Sequence, residues 1–216
     1  MAVTIAPIEL VALDPAETAA LAGIPAAVVS DVMNRARAMD AGMRAIGAAA
    51  SFVGVAMTVA GMVGDNAALH HAAALARPGL VLVGDGRGDL STALWGEILH
   101  RVASHRGLTG LVLDGCVRDI DALAQSTIPV WARGHVPSGP HKGWGGAVNV
   151  AVQCGGCAVR PNDVILADRD GIMVIPRESV GQVIRDGTAQ VAREREILSA
   201  IDAGRTTVDL LGLART

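Results

Sequence analysis

Trp95 to Asp121 reads WGEILHRVASHRGLTGLVLDGCVRDID. A glycine and a carboxylate open this stretch, and apolar Ile98, Leu99, Val102 and Ala103 recur at helical spacing until Gly107, which predicts one helix. Leu111, Val112 and Leu113, bounded by Gly110 and Gly115, predict a short buried strand. The chain is then expected to turn at Gly115 and present Arg118 and Asp119. In an open α/β sheet, ligands gather at the carboxyl ends of strands and at helix amino termini. This stretch supplies one of each.

Working outward, 216 residues suit a single domain, residues 1–216, with a core from about 28 to 176. The hydrophobic fraction is 51%, with one Phe, three Trp and no Tyr, so the core must be packed from small aliphatic side chains. A net charge of −3 and the lack of a basic cluster speak against nucleic acid. Three cysteines argue against a disulfide framework and for a reducing, cytoplasmic setting, and the amino terminus lacks the pattern of a signal peptide. Residues 45–64 carry no charge over a nominally membrane-spanning length, but four glycines and the strand-sized Phe52–Ala60 predict a buried strand instead. No membrane association is expected.

Along the chain, Asp14-Pro15 with Glu17 predicts a capped helix start, and Gly23-Ile24-Pro25 separates it from a second helix through Val28, Val29, Val32 and Met33. Gly64-Asp65-Asn66 should turn into a helix over 67–76 carrying His70 and His71, one packed and one solvated, followed by a strand over 80–83. GDGRGDLST, residues 84–92, fits neither the dinucleotide nor the P-loop spacing. It is expected to make a strand-to-helix crossing, with Ser91 or Thr92 near the cap of the next helix. A short helix after Asp119, a strand over 129–132 and a long loop over 134–146 with His141, Lys142 and Trp144 follow. Loops of that length are usually functional or ordered by a partner. Beyond 147 come short β runs broken by turns, then a charged helix over 177–203 suited to a subunit boundary.

Chemistry points to Arg118-Asp119. A guanidinium fork suits a carboxylate or enolate oxygen, and a carboxylate beside it suits a hard cation, although a surface arginine beside a capping aspartate fits the spacing too. Gly96, Glu97, Ile98 and Leu99 would offer free amides to an anion, with Glu97 orienting metal-bound water or merely offsetting the helix dipole. Lys142, the single lysine, would be poorly desolvated for Schiff-base chemistry in a Gly-rich loop. Cys154 and Cys157 form a C-x-x-C without a second ligand pair.

GDNAALHHA, PGLVLVGDG, WGEIL, GLVLDGCVRD, IPVWARG, GGAVNV and DVILADRDGIMVIP follow one another as in the RraA-like family, and the chain resembles its aldolase branch over roughly 28–176. That branch comprises the class II 4-hydroxy-4-methyl-2-oxoglutarate and 4-carboxy-4-hydroxy-2-oxoadipate aldolases. The resemblance implies an α/β fold, a single-domain swivelling β/β/α-type sandwich with helices at both termini, assembled as a homotrimer or homohexamer. It also implies that a pyruvyl carboxylate lies on Gly96 to Leu99, that Arg118 contacts the keto oxygen, and that Asp119 ligates Mg²⁺ or Mn²⁺. A pyruvate enolate would follow, with a metal-ordered water as base and oxaloacetate decarboxylation as a side activity. Two departures stand out. Ala122 replaces the usual acidic residue three positions after the aspartate, and the acidic residue expected from a neighbouring carboxy-terminal helix matches Glu194, with Glu196 nearly as suitable. The competing reading is a non-catalytic regulator of ribonuclease E-type activity, a branch that tends to lack the carboxylate kept here at Asp119.

Overall fold

The computed structural model describes residues 2–47 and 51–213; positions 48–50 of the uncharged stretch lie outside them. The elements in order are β1 (Val3–Ile5), α1 (Pro15–Ala22), α2 (Ala26–Val32), β2 (Arg44–Ile46), β3 (Phe52–Gly61), α3 (Ala67–Leu75), β4 (Leu80–Trp95), α4 (Glu97–Arg106), β5 (Gly110–Val117) and α5 (Ile120–Ala124). Then come β6 (Val130–His135), β7 (Gly146–Val148), β8 (Val152–Cys154), β9 (Cys157–Val159), β10 (Val164–Asp168), β11 (Gly171–Ile175), α6 (Val180–Asp202) and α7 (Thr207–Leu210).

The strands β3, β4, β5 and β6 pair in parallel, with α3, α4 and α5 as crossovers, so the carboxyl ends of the strands and the amino ends of these helices collect at one edge. Strand alternation builds the layers. Leu80 and Leu82 of β4 and Leu111 and Leu113 of β5 face a core shared with α3 and α4, while Val81, Val83 and Val112 face a second core under the β8–β9 and β10–β11 hairpins. The β10–β11 hairpin then turns Leu166, Met173 and Ile175 toward α1, α2 and α6. The result is a single-domain mixed α/β sandwich whose helices flank a central sheet. Among the described residues no helix is long and apolar enough to cross a membrane.

Several expectations change. The short strand at Leu111–Leu113 continues through Gly115 to Val117 with all eight positions buried, so the turn falls at Arg118-Asp119 and not at Gly115. The GDGRGDLST stretch is the far half of β4, absorbed by shifts in its register with β5, and is not a crossing loop. Ser91 and Thr92 cap nothing there; Gly96 is the N-cap of α4. The capping box at Asp14 and Glu17 is present, and the carboxy-terminal helix forms after a 3-10 turn at Arg177–Ser179.

Candidate functional site

The site sits where β4 and β5 end and α4 begins. Arg118 N donates to Trp95 O at 2.9 Å, which holds the end of β5 against the end of β4. The next residue, Asp119, takes a left-handed backbone conformation, φ 59° and ψ 46°. For a residue with a Cβ that costs on the order of 1 kcal/mol. The bend brings Asp119 Oδ2 back to accept from Glu97 N at 2.9 Å, so the carboxylate lies at the amino terminus of α4. The amides of Ile98 and Leu99, in the same first turn, have no intrahelical acceptor by position. Gly96 makes this approach possible through its lack of a side chain. Its backbone is extended, but an added Cβ would lie 2.5 Å from Asp119 Oδ2 and 2.9 Å from Arg118 Cγ.

Arg118 and Asp119 remain accessible, with side chains 39% and 40% exposed, and their mutual contact is a loose 3.7 Å from Nε to Oδ2. Glu97 beside them is held by Arg101, whose Nε donates to Oε1 at 2.9 Å. Thus Gly96, Glu97, Ile98, Leu99, Arg118 and Asp119 are brought together. Among the described residues no bond joins Glu194 to them: α6 packs on α1 and α2, and Glu194 accepts from Gln190.

The cleft beside Arg118 is also lined by residues from distant segments: Asn66 and His70 of the α3 entry, and Pro140 and Lys142 of the loop after β6. Asp65 ties that loop down, its Oδ2 accepting from Gly143 N at 2.7 Å and Trp144 N at 3.0 Å. Asn66 N donates to His141 O, and Ala93 N to Ser138 O. Burial raises the Asp65 carboxyl, but the amides of Ala67, Trp144 and Gly143 outweigh it and hold the group below its ordinary range. The pKa of His70 is pushed down by burial and by Lys142 and His71. As expected from the sequence, His70 is half-buried and His71 exposed. Lys142 lines the cleft but is exposed, a poor setting for a Schiff-base lysine.

Sequence reasoning missed Asn66 as a site residue and did not connect Lys142 or His70 with Arg118. The one available signal was that the 134–146 loop looked functional. It also overlooked how little of α4 is covered. Leu99 and Ala103 are buried, but Ile98 is 72% exposed, so the apolar stripe serves two surfaces. Cys154 and Cys157 face each other across the β8–β9 turn, buried and with thiols raised by burial; among the described residues no group of three or more His, Cys, Asp or Glu could hold a metal.

The cleft of the single chain encloses only about 50 Å³. Small-molecule pockets usually measure ~300 Å³ or more, a size the cleft of the single chain does not reach.

Known proteins resemble this chain in sequence and fold. The RraA-like family, described as Aldolase/RraA, matches residues 26–174. A Halalkalibacterium halodurans protein provisionally named 4-hydroxy-4-methyl-2-oxoglutarate aldolase is 33% identical over 190 residues, 86% of this chain and 90% of that one. An uncharacterized Pseudomonas syringae pv. tomato protein superposes with a TM-score of 0.82 at 26% identity, covering 93% of this chain and 94% of the other. The RNA-processing inhibitor RraA from Thermus thermophilis gives a TM-score of 0.66 at 32% identity, covering 70% of this chain and 92% of its own.

Proposed function

The chain belongs to the RraA-like family, and from that premise we propose that it is a divalent-metal-dependent, class II aldolase. In this reading it cleaves 4-hydroxy-2-oxo acids such as 4-hydroxy-4-methyl-2-oxoglutarate to pyruvate through an enolate, with oxaloacetate decarboxylation as a side activity. The observation that carries it is the convergence of Arg118 and Asp119 on the amino terminus of α4. Asp119 already takes the Glu97 amide, so the pyruvyl carboxylate is assigned to the amides of Ile98 and Leu99. Arg118, with its fork uncommitted to a close carboxylate, then faces the keto oxygen and stabilises the negative charge that develops there as the carbon–carbon bond breaks.

The donors suit a hard cation. Asp119 offers a half-exposed carboxylate, while the Glu97 carboxylate is held by Arg101, and Mg²⁺ or Mn²⁺ can be held by one or two carboxylates with water completing the shell. Such a cation supplies Lewis-acid stabilisation of the enolate when bound. A further carboxylate is assigned to Glu194 of a neighbouring copy in a homotrimer or homohexamer. On α6, Glu194 shares a face with Val191, Ile197, Leu198 and Ile201 at spacings of three, four and seven, and Leu198 is 60% exposed. That apolar stripe suits docking. Glu196, about 200° round the helix from Glu194, lies outside it.

Pyruvate release from 4-hydroxy-4-methyl-2-oxoglutarate and from oxaloacetate, with Mg²⁺ and with EDTA, tests the proposal. Metal-dependent release that vanishes in Asp119→Ala supports it. No release from either compound with Mg²⁺ or Mn²⁺ overturns it in favour of a protein-binding regulator, the reading favoured by the likeness to the RNA-processing inhibitor.

A further inference from the structure

We propose that Arg101 grips the far carboxylate of a dicarboxylic 4-hydroxy-2-oxo acid in a cup between α4 and α5; this rests on the aldolase reading above. The cup measures about 250 Å³, and Glu97, Arg101, Ser104, Ala122, Gln125 and Ser126 are among the residues that line it. It adjoins the candidate site at Asp119, whose backbone O accepts from Ala122 N at 3.1 Å and whose Oδ2 accepts from Glu97 N at 2.9 Å. At about 100° per residue, Glu97, Arg101 and Ser104 share one face of α4, while Ile98 and Leu99, which border the Arg118 cleft, point away from it. The two hollows therefore flank Asp119. With the pyruvyl carboxylate on the Ile98 and Leu99 amides and the keto oxygen at Arg118, the rest of the substrate needs space beside Asp119. The Arg118 cleft encloses only about 50 Å³, so the cup is the side with room.

The polar groups of the cup suit an anion. Arg101 reaches back toward the start of α4, as helical side chains do, and its Nε and Nη2 both donate to Glu97 Oε1, at 2.9 and 2.5 Å. Among the described residues the outer fork of the guanidinium, Nη1 and the second hydrogen of Nη2, meets no acceptor, and with the side chain 75% exposed it is open to a carboxylate arriving from solvent. Ser126 adds a donor. Trp95 Nε1 can only donate, so His100 Nδ1 accepts from it and His100 Nε2 carries the proton toward Ser126 Oγ; Ile128 N donates to the same oxygen, which leaves the hydroxyl hydrogen to give. The one acid in the cup, Glu97, already holds the inner edge of Arg101, and Ala122 brings a methyl group where an acidic side chain would repel the ligand. The far carboxylate takes no part in breaking the C3–C4 bond and leaves with the second product. Its contact is made alike in the bound substrate and in the transition state, so its loss should appear in KM and not in kcat.

The test compares cleavage of 4-hydroxy-2-oxoglutarate and of 4-hydroxy-2-oxopentanoate, each with Mg²⁺; the two differ only in carrying a carboxylate or a methyl group on C4. In Arg101→Ala the advantage of the dicarboxylic acid, read as the ratio of the two kcat/KM values, should fall ~10-fold through a higher KM for that substrate, the worth of a hydrogen bond between charged groups. Any loss that comes from freeing Glu97 falls on both substrates and cancels in the ratio, as does any unfolded fraction. Arg101→Lys, which keeps the charge without the fork, should recover only part of the ratio. A ratio unchanged in Arg101→Ala would show that Arg101 serves Glu97 alone and would overturn the inference while leaving the aldolase reading standing. A measurement that needs no variant uses 2-oxoglutarate and 2-oxopentanoate as inhibitors of oxaloacetate decarboxylation by the wild type: the first should bind at least ~10-fold more tightly, and equal constants would count against Arg101 in the same way. No pyruvate from any of these substrates, with Mg²⁺ or Mn²⁺, would instead remove the aldolase reading and the inference with it.

Discussion

Arg118 and Asp119 stand at the end of β5, and Arg133 on the neighbouring β6 meets Asp114 from within the same β5, yet the two groupings use their donors in opposite ways. Arg133 is spent. Its Nε donates to Asp114 Oδ1, and its two terminal nitrogens donate to Asp40 at 2.8 and 2.9 Å. Asp114, 9% exposed, also accepts from Gly155 N, so the grouping fastens β5, β6, the loop at Asp40 and the β8–β9 turn together. The hydrogen bond from Arg133 holds the Asp40 carboxyl below its ordinary range. Arg118, in contrast, keeps only a loose contact with its carboxylate at the rim of a cleft. The difference teaches that an arginine–aspartate pair is assigned by what its donors have already been given to: full commitment makes a structural fastening, and open valence makes a site.

If that division is right, substitutions at the two groupings should separate activity from stability. Arg118→Ala is expected to lower pyruvate release by roughly 10³-fold, in line with removal of a group that stabilises a developing oxyanion, with a melting temperature close to wild type. Steady-state assay and thermal melting on one preparation check both halves. Arg133→Ala should do the reverse, costing about 3 kcal/mol in urea unfolding because a largely buried carboxylate is left unpaired, while the folded fraction keeps its kcat. Comparable activity losses in the two variants would break the comparison.

A finer test lies at Gly96. Gly96→Ala should depress activity by roughly 10²-fold, since a misplacement of about 1 Å is enough for such a loss. The new methyl group must displace Asp119 Oδ2 and Arg118, and it should do so with little change in unfolding free energy. The smallest effect concerns His100, on the buried face of α4, where Trp95 Nε1 donates to its Nδ1 and its Nε2 bonds Ser126. Burial holds its pKa below the usual 6.5. The unfolded chain therefore binds the proton first, and stability should be complete above about pH 6.5 and decline as pH falls below it. Urea midpoints at pH 8 and pH 5.5 check the direction, and His100→Gln should shrink the difference.

Much of the parallel unit was legible, because Phe52–Ala60, Leu80–Val83 and Leu111–Leu113 are apolar runs of strand length separated by helical periodicity. The far half of β4 was not. Gly84 to Thr92 has turn composition, and only pairing with β5 on a bulged register keeps it a strand. Gly115 misled for the same reason: its neighbours on β4, and not its own propensity, hold it extended. At the site, Gly96 to Leu99 and Arg118-Asp119 could be named because chain-adjacent motifs carry them, whereas Asn66 and Lys142 gave no local sign of sharing their cleft.

Family membership and the order of the central strands and helices were settled by the sequence alone, since periodicity and motif order are properties of neighbouring residues. Tertiary structure decided which arginine is spent and which is open, that the Asp119 carboxylate occupies the Glu97 amide, and that Asn66 and Lys142 line one cleft with Arg118. Those outcomes depend on which groups reach one another across the sheet, and a donor's availability is set by partners that lie far away along the chain.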